Sequence, residues 1–268
     1  MKETPDEIAR ANFVFGACFA KTLSRLGLQT IYFSPGSRST PLVIGIERYS
    51  AIQLIPVLDE RSASFIALGQ SKQTNAPVGL ICTSGSALTH WFPAVTEASH
   101  SGNPLLLFSA DRPPELQDCG AGQTIYQQNL FGSFVRQFHQ VKVPQLREDF
   151  KAQLITTLQS AYQESTGLNP GPVHLNFPFR EPFLPRSLGI TDPPIPHSIR
   201  RLEGKDYPST CNEISEQISG YERPLIIAGQ NVTSKDIEPW LKTPTVPILC
   251  DALSSVRQSD ASNTILRY

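Results

Sequence analysis

Apolar positions Phe13, Val14, Ala17, Cys18, Ala20 and Leu23 recur at helical spacing, and Gly27 then stops the helix before a strand at Thr30–Phe33. The turn Ser34-Pro35-Gly36-Ser37 separates that strand from a second helix predicted to start at Pro41, because proline is tolerated in a first turn. Residues 52–58 read as a strand ending in Asp59-Glu60, and a helix-like run over 62–70 follows at once. A β-rich run over 78–82 ends in Thr83-Ser84-Gly85-Ser86 and a helix-like stretch continues to Ala98; a run over 105–108 repeats the pattern, ending in Ser109-Ala110-Asp111-Arg112-Pro113-Pro114. Strand, small-residue turn and helix recur four times, which predicts an α/β fold with a doubly wound, mostly parallel sheet and crossover helices. An amphipathic helix over 150–162 and a strand over 173–176 close this first domain. Phe131, Phe134 and Phe138 recur at helical spacing and read as a core stripe.

Between Pro178 and Pro208 lie Pro182, Pro185, Pro193, Pro194 and Pro196, too many for the interior of a helix or sheet. The expected organisation is therefore a first α/β domain over 1–183, a semi-rigid linker over 184–208 and part of a second α/β domain over 209–268. That last part shows two strand signals, at 224–228 and 246–250.

At 268 residues, with 40% hydrophobic and 18% charged positions, the chain has the makings of a globular protein with a substantial core. Its net charge of −1 and lack of any Lys/Arg block argue against nucleic-acid binding and against a polybasic membrane patch. The five cysteines are widely spaced with no C-x-x-C pair, so neither a zinc site nor a disulfide framework is indicated and a reducing compartment is expected. The polar start is unlike a secretory or transit segment, and no apolar run approaches the ~20 residues of a membrane span. These features place the expectation in the cytoplasm, without an integral membrane segment.

Candidate chemistry lies at the predicted strand ends, where doubly wound folds hold ligands. In an apolar cleft, Glu60 could hydrogen-bond a heterocyclic nitrogen and move protons; the alternative is a first-turn acid favoured by the helix dipole and paired with Arg61. The turn at 34–41 offers backbone N–H groups to an anion and Arg38 to a carboxylate, against the alternative of a capped helix entry with a solvated arginine. Thr83-Ser84-Gly85-Ser86-Ala87 has neither the lysine of a P-loop nor the glycine spacing of a dinucleotide site, and it is not an esterase elbow; its small residues would let a ligand ring approach the backbone. The long loop after the fourth strand carries Arg112 and Gln123, and its alternative is a surface loop with Arg112 in a local ion pair. The five histidines show no metal-ligand spacing and read as structural.

Together, SPGSRSTPL at 34–42, DER at 59–61, TSGSA at 83–87, ADRPPEL-x-DCGA-x-Q at 110–123 and GPVHLNFPFREP at 171–182 closely resemble the SEPHCHC synthase (MenD) family of thiamine diphosphate enzymes. The resemblance covers about residues 10–260. It implies decarboxylation of 2-oxoglutarate and addition of the resulting succinic semialdehyde unit to isochorismate, a step of menaquinone or phylloquinone biosynthesis. It implies Glu60 as the carboxylate on the aminopyrimidine N1′ of the cofactor, with further cofactor contacts at Pro35, Gly36 and Ser84. Arg38, Arg112 and Gln123 match the family's isochorismate contacts, with Ser37 as an additional donor. The family usually has asparagine where this chain has Gly122, so one amide contact is expected to be missing. Family members continue into a third domain that holds the diphosphate through Mg²⁺ and completes the site on another subunit of a homodimer or homotetramer. This chain by itself is therefore expected to bind neither thiamine diphosphate nor Mg²⁺ tightly. Two other readings remain: a non-catalytic binding or assembly module on the same fold, and another thiamine diphosphate lyase or decarboxylase.

Overall fold

The computed structural model describes residues 3–186, 216, 218, 220–230 and 232–265. Contacts divide the chain into two compact units, residues 1–203 and 204–268. The expected linker at 184–208 lies from 187 onward outside the described residues.

In the first unit, α1 (Pro5–Leu26) opens on a capping box in which Thr4 accepts from the Glu7 N–H while the Glu7 carboxylate accepts from the Thr4 N–H. Gly27, with φ of 94°, closes it in the left-handed region. Next come β1 (Thr30–Phe33), α2 (Thr40–Tyr49), β2 (Gln53–Pro56), α3 (Glu60–Thr74) and β3 (Val78–Cys82). α4 (Phe92–Ser101), β4 (Leu105–Asp111), β5 (Gln137–Gln140), α5 (Glu148–Thr166) and β6 (Val173–Pro178) complete the unit.

All pairings are parallel, in the order β2-β1-β3-β4-β6-β5. The chain thus winds one way from β1 to β2 and the other way from β3 to β4, which puts a topological switch point between β1 and β3. Side chains alternate along the buried strands and build two cores. Leu106 and Phe108 of β4 face Phe15 and Phe19 of α1 and Leu158 of α5, whereas Leu105 and Leu107 face Ala67 of α3 and Trp91 before α4. The result is the doubly wound α/β architecture predicted, with helices on both sheet faces. α1 and α2 cross at Gly16 and Gly45, where a Cβ on Gly45 would stand 2.2 Å from the Gly16 carbonyl oxygen.

Several expectations need correction. The Phe131, Phe134 and Phe138 spacing is not a helix: a 3₁₀ turn at Gly132–Phe134 runs on into β5, and only Phe131 is fully buried. The long loop expected after β4 is present, but it leads into a strand, β5, that the sequence did not predict. The stretch after Ser84 starts as a 3₁₀ helix, Gly85–Trp91, and becomes α-helical at Phe92.

Among its described residues the second unit has three parallel strands, β7 (Ile226–Ala228), β8 (Ile248–Cys250) and β9 (Thr264–Ile265), around Ala228, Ile248 and Val256. β9 is one strand more than the sequence signals indicated. Among the described residues no helix is long and apolar enough to cross a membrane.

Candidate active site

The turn after β1 and the turn after β3 meet at the switch point. Gly36 lies so close to the second turn that a Cβ there would stand 2.3 Å from Thr83 Cβ. Pro35 and Ser37 are exposed, while Ser39 and Arg38 are buried in the 3₁₀ turn Ser37–Ser39 that leads into α2.

Arg38 is not solvated. Its Nη1 donates to the Phe179 carbonyl, its Nη2 donates to Glu181 Oε1 at 2.8 Å, and its guanidinium lies 4.9 Å from the Phe183 ring centre. Asn12 of α1 holds that segment by donating to the Arg180 and Pro182 carbonyls at 2.9 and 3.0 Å. Burial, followed by the nearby Arg112 charge, lowers the Arg38 pKa, while Glu181 and Asp111 work against that shift. The two guanidiniums therefore share one electrostatic neighbourhood.

Arg112 joins the loop after β4 to the turn after β3. Its Nη1 donates to Ser84 Oγ at 2.8 Å and its Nη2 to the Gly122 carbonyl at 3.0 Å. Gln123 reaches the same turn, with Nε2 donating to the Ser84 carbonyl at 3.0 Å. Ser84, Arg112, Gly122 and Gln123 are thus one hydrogen-bonded group at the carboxyl ends of β3 and β4. Among the described residues the hydrogen-bond partners of the Arg112 guanidinium are a hydroxyl and a carbonyl, not a carboxylate.

Glu60 is the first residue of α3, behind an Asp59 cap that accepts from the Ser62 N–H at 2.7 Å. Among the described residues its half-buried carboxylate makes no hydrogen bond and no ion pair, with Arg61 or otherwise. It lies within electrostatic range of β3, whose buried Cys82 thiol has its pKa raised by burial first and by Glu60 second. Of the apolar residues next to it in sequence, Leu58 is 86% exposed, and Phe65 and Ile66 of α3 are exposed as well.

Beneath the arginines runs a buried polar network that the sequence reading missed. Asp111 Oδ1 accepts from the Arg112 N–H at 2.7 Å, and Oδ2 accepts from Asn176 Nδ2 at 2.7 Å; burial raises the Asp111 pKa. Asn176 Oδ1 accepts from Ser109 Oγ and from Gln127 Nε2, both at 2.8 Å. Because the Ser109 proton goes to Asn176, its oxygen accepts from His174 Nε2, 2.7 Å away. His174 is fully buried, and burial pulls its pKa down to about 3. Polar residues inside two buried parallel strands, Ser109 of β4 and His174 and Asn176 of β6, are the signal that could have revealed this network.

A cleft of about 240 Å³ opens beside Asp111, Arg112, Gln117 and Gln140. A larger one, about 580 Å³, runs between β5 and α5 and contains none of the predicted site residues. Among the described residues no group of His, Cys, Asp or Glu could hold a metal ion.

Residues 14–134 match the family model of the thiamine pyrophosphate enzyme N-terminal TPP binding domain. The fold is shared with a crystal structure of benzoylformate decarboxylase from Polynucleobacter necessarius, at a TM-score of 0.64, 19% identity, and coverage of 89% of this chain and 43% of that one. Fold and domain match together define the class: the first unit is a thiamine diphosphate-enzyme α/β domain.

Within that class the chain is similar to 2-succinyl-5-enolpyruvyl-6-hydroxy-3-cyclohexene-1-carboxylate (SEPHCHC) synthases. The one from Haloarcula marismortui is 39% identical over 86% of this chain and 43% of its own length. Those from Gloeothece citriformis and Acaryochloris marina are 38% and 46% identical, over 97% and 68% of this chain and 48% and 31% of their own lengths. By sequence the chain matches part of the SEPHCHC synthases and spans less than half the length of these curated relatives.

Proposed function

We propose that this chain supplies the pyrimidine side and the acceptor-carboxylate side of a SEPHCHC synthase site. In this reading 2-oxoglutarate is decarboxylated and its succinic semialdehyde unit is added to isochorismate. The carrying observation is the convergence of Arg38, Arg112, Ser84 and Gln123 at the strand ends around the switch point, in a chain that matches SEPHCHC synthases. Two guanidiniums in one neighbourhood suit an acceptor with two carboxylates.

Glu60 has the attributes of a pyrimidine partner. It is a carboxylate without a competing hydrogen bond among the described residues, at a helix start within electrostatic range of Cys82, the residue before Thr83. From there it holds or donates a proton at the N1′ position of an aminopyrimidine. Thiamine diphosphate, when bound, supplies the electron sink for loss of carbon dioxide from the 2-oxo acid. Pro35, Gly36 and Ser84 border the space where its ring would lie, and Ser37 stands at the exposed rim on the acceptor side.

Two features support a site completed by another part of a longer protein or by a second subunit. The 240 Å³ cleft is smaller than the roughly 300–1,000 Å³ of a typical small-molecule site. The apolar residues Leu58, before the start of α3, and Phe65 and Ile66, within it, are exposed. Following the family resemblance, we assign the diphosphate and Mg²⁺ to that other part. Cytoplasmic location and a homodimeric or homotetrameric state belong to the same proposal.

The test is a coupled assay of the complete enzyme with 2-oxoglutarate and a panel of acceptors. A strict requirement for isochorismate supports the reading. Turnover of 2-oxo acids without it would assign the chain to a different thiamine diphosphate lyase, and no turnover with any acceptor would favour a binding module.

A further inference from the structure

We infer that Gln127 and Asn176 are positioning residues for the arginine-lined site, acting as a two-amide relay that sets the Ser84-Gly85 turn and Arg112 relative to each other. The inference rests on the function proposed above and extends it to residues that touch no ligand.

Gln127 is buried, with every polar atom committed. Its Oε1 accepts from the Gly85 N–H at 2.9 Å, and its Nε2 donates to the Ala110 carbonyl at 3.1 Å and to Asn176 Oδ1 at 2.8 Å. Asn176, fully buried on β6, carries the connection onward: its Nδ2 donates to Asp111 Oδ2 at 2.7 Å and to Gln140 Oε1 at 3.0 Å. Asp111 then fixes the Arg112 backbone through its N–H. One end of the relay thus grips the turn that receives the Arg112 guanidinium, and the other grips the backbone from which that guanidinium extends.

An amide can be flipped only by exchanging its donor for its acceptor. Here a flip of Gln127 would set its NH₂ against the Gly85 N–H and its oxygen against two acceptors. Each orientation enforces the next, so the relay has a single low-energy state, which is what a preorganised binding group needs. A purely structural role would be filled by apolar packing at lower desolvation cost, as in the flanking strand residues Phe108 and Phe177.

The deciding experiment combines steady-state kinetics of the complete enzyme with hydrogen exchange at the Gly85 amide. Gln127→Met removes the hydrogen bonds at similar volume. It should raise the isochorismate KM about tenfold while the 2-oxoglutarate KM stays within about twofold, and the Gly85 amide should exchange about tenfold faster with β3 protection intact. An unchanged isochorismate KM together with an unchanged Gly85 amide would overturn the inference, as would equal loss for both substrates. Should Gln127→Met not fold, Gln140→Met removes an acceptor at the exposed end of the relay, and about a threefold shift in the same readouts is expected; no shift would be fatal to the idea. If the wild-type enzyme does not use isochorismate, the proposed function fails, and Gly85 exchange alone then decides the relay.

Discussion

Arg38 Nη2 lies 2.8 Å from Glu181 Oε1, and the pair is lopsided: the arginine side chain is 3% exposed, the glutamate 67%. A buried guanidinium whose counter-ion sits at the surface is open to exchange of that carboxylate for another. We expect Glu181→Gln to cost less than about 1 kcal/mol of stability, because a partner so exposed is strongly screened. Arg38→Ala should cost about 1–3 kcal/mol, since the Phe179 carbonyl loses its donor and Phe183 its stacking partner, and it should raise the isochorismate KM. Urea melts of the two variants check the order; equal costs would contradict this account of the pair.

Glu60 separates stability from chemistry. Its carboxylate has no hydrogen-bond partner among the described residues, so Glu60→Gln should change stability by less than about 0.5 kcal/mol. As the proton-holding group of the proposed site it should lower kcat by about 10²–10⁴-fold. Thermal melts and turnover on the same preparation test both halves, and near wild-type turnover would remove Glu60 from the mechanism.

The buried imidazole of His174 gives the fold an acid sensitivity. Its pKa falls from 6.5 to about 3 on folding, so between these values the unfolded chain binds more protons than the folded one. This contribution is fully present above pH 6.5 and is lost as pH falls toward 3, at a slope of up to about 1.4 kcal/mol per pH unit. Asp111, whose pKa burial raises, works in the opposite sense, so the comparison must isolate the histidine. Denaturant melts at pH 7 and pH 4.5 should show a smaller pH-dependent loss in His174→Gln than in wild type; equal losses would assign the sensitivity elsewhere.

Gly122 provides a gain-of-function test. The residue is exposed, and a Cβ built there meets nothing within 4 Å. Gly122→Asn should therefore leave the melting temperature unchanged. It should also lower the isochorismate KM several-fold by supplying the amide that the family resemblance implies at this position, about the worth of one hydrogen bond. A higher KM would mean that the loop in this chain is adapted to glycine.

What could be read from the sequence was what local chemistry determines. β1 and β3 have the predicted bounds because central parallel strands are continuous apolar runs, and Glu60 sits at the start of α3 because Asp59 is a strong cap. β5 was illegible because an edge strand reading Gln-Phe-His-Gln has no apolar run, and its Phe138 happened to extend a spacing begun by Phe131 and Phe134. Arg38 and Arg112 could be nominated from their turns. Their partners could not: Glu181 lies 143 positions from Arg38, and Gln127 and Asn176 are 49 positions apart. Such pairings are set by sheet order, which no local pattern encodes.

The contact between Gly36 and Thr83 ties the site to the sheet order most directly, because it joins the turns on either side of the switch point. A Cβ on Gly36 would come within 2.3–2.9 Å of three Thr83 side-chain atoms, and β1 and β3, directly paired, cannot separate to relieve it. The φ of −176° at Gly36 is accessible to any residue, so the penalty for alanine is steric rather than conformational. Gly36→Ala should thus destabilise by about 1–3 kcal/mol through overpacking and impair binding at the Ser84 turn. Thr83→Gly removes the opposing atoms and should recover much of that loss, giving a coupling energy above about 0.5 kcal/mol in a double-mutant cycle. Additive costs would mean that the two turns move independently, and the switch point would then not be the rigid frame on which the site is built.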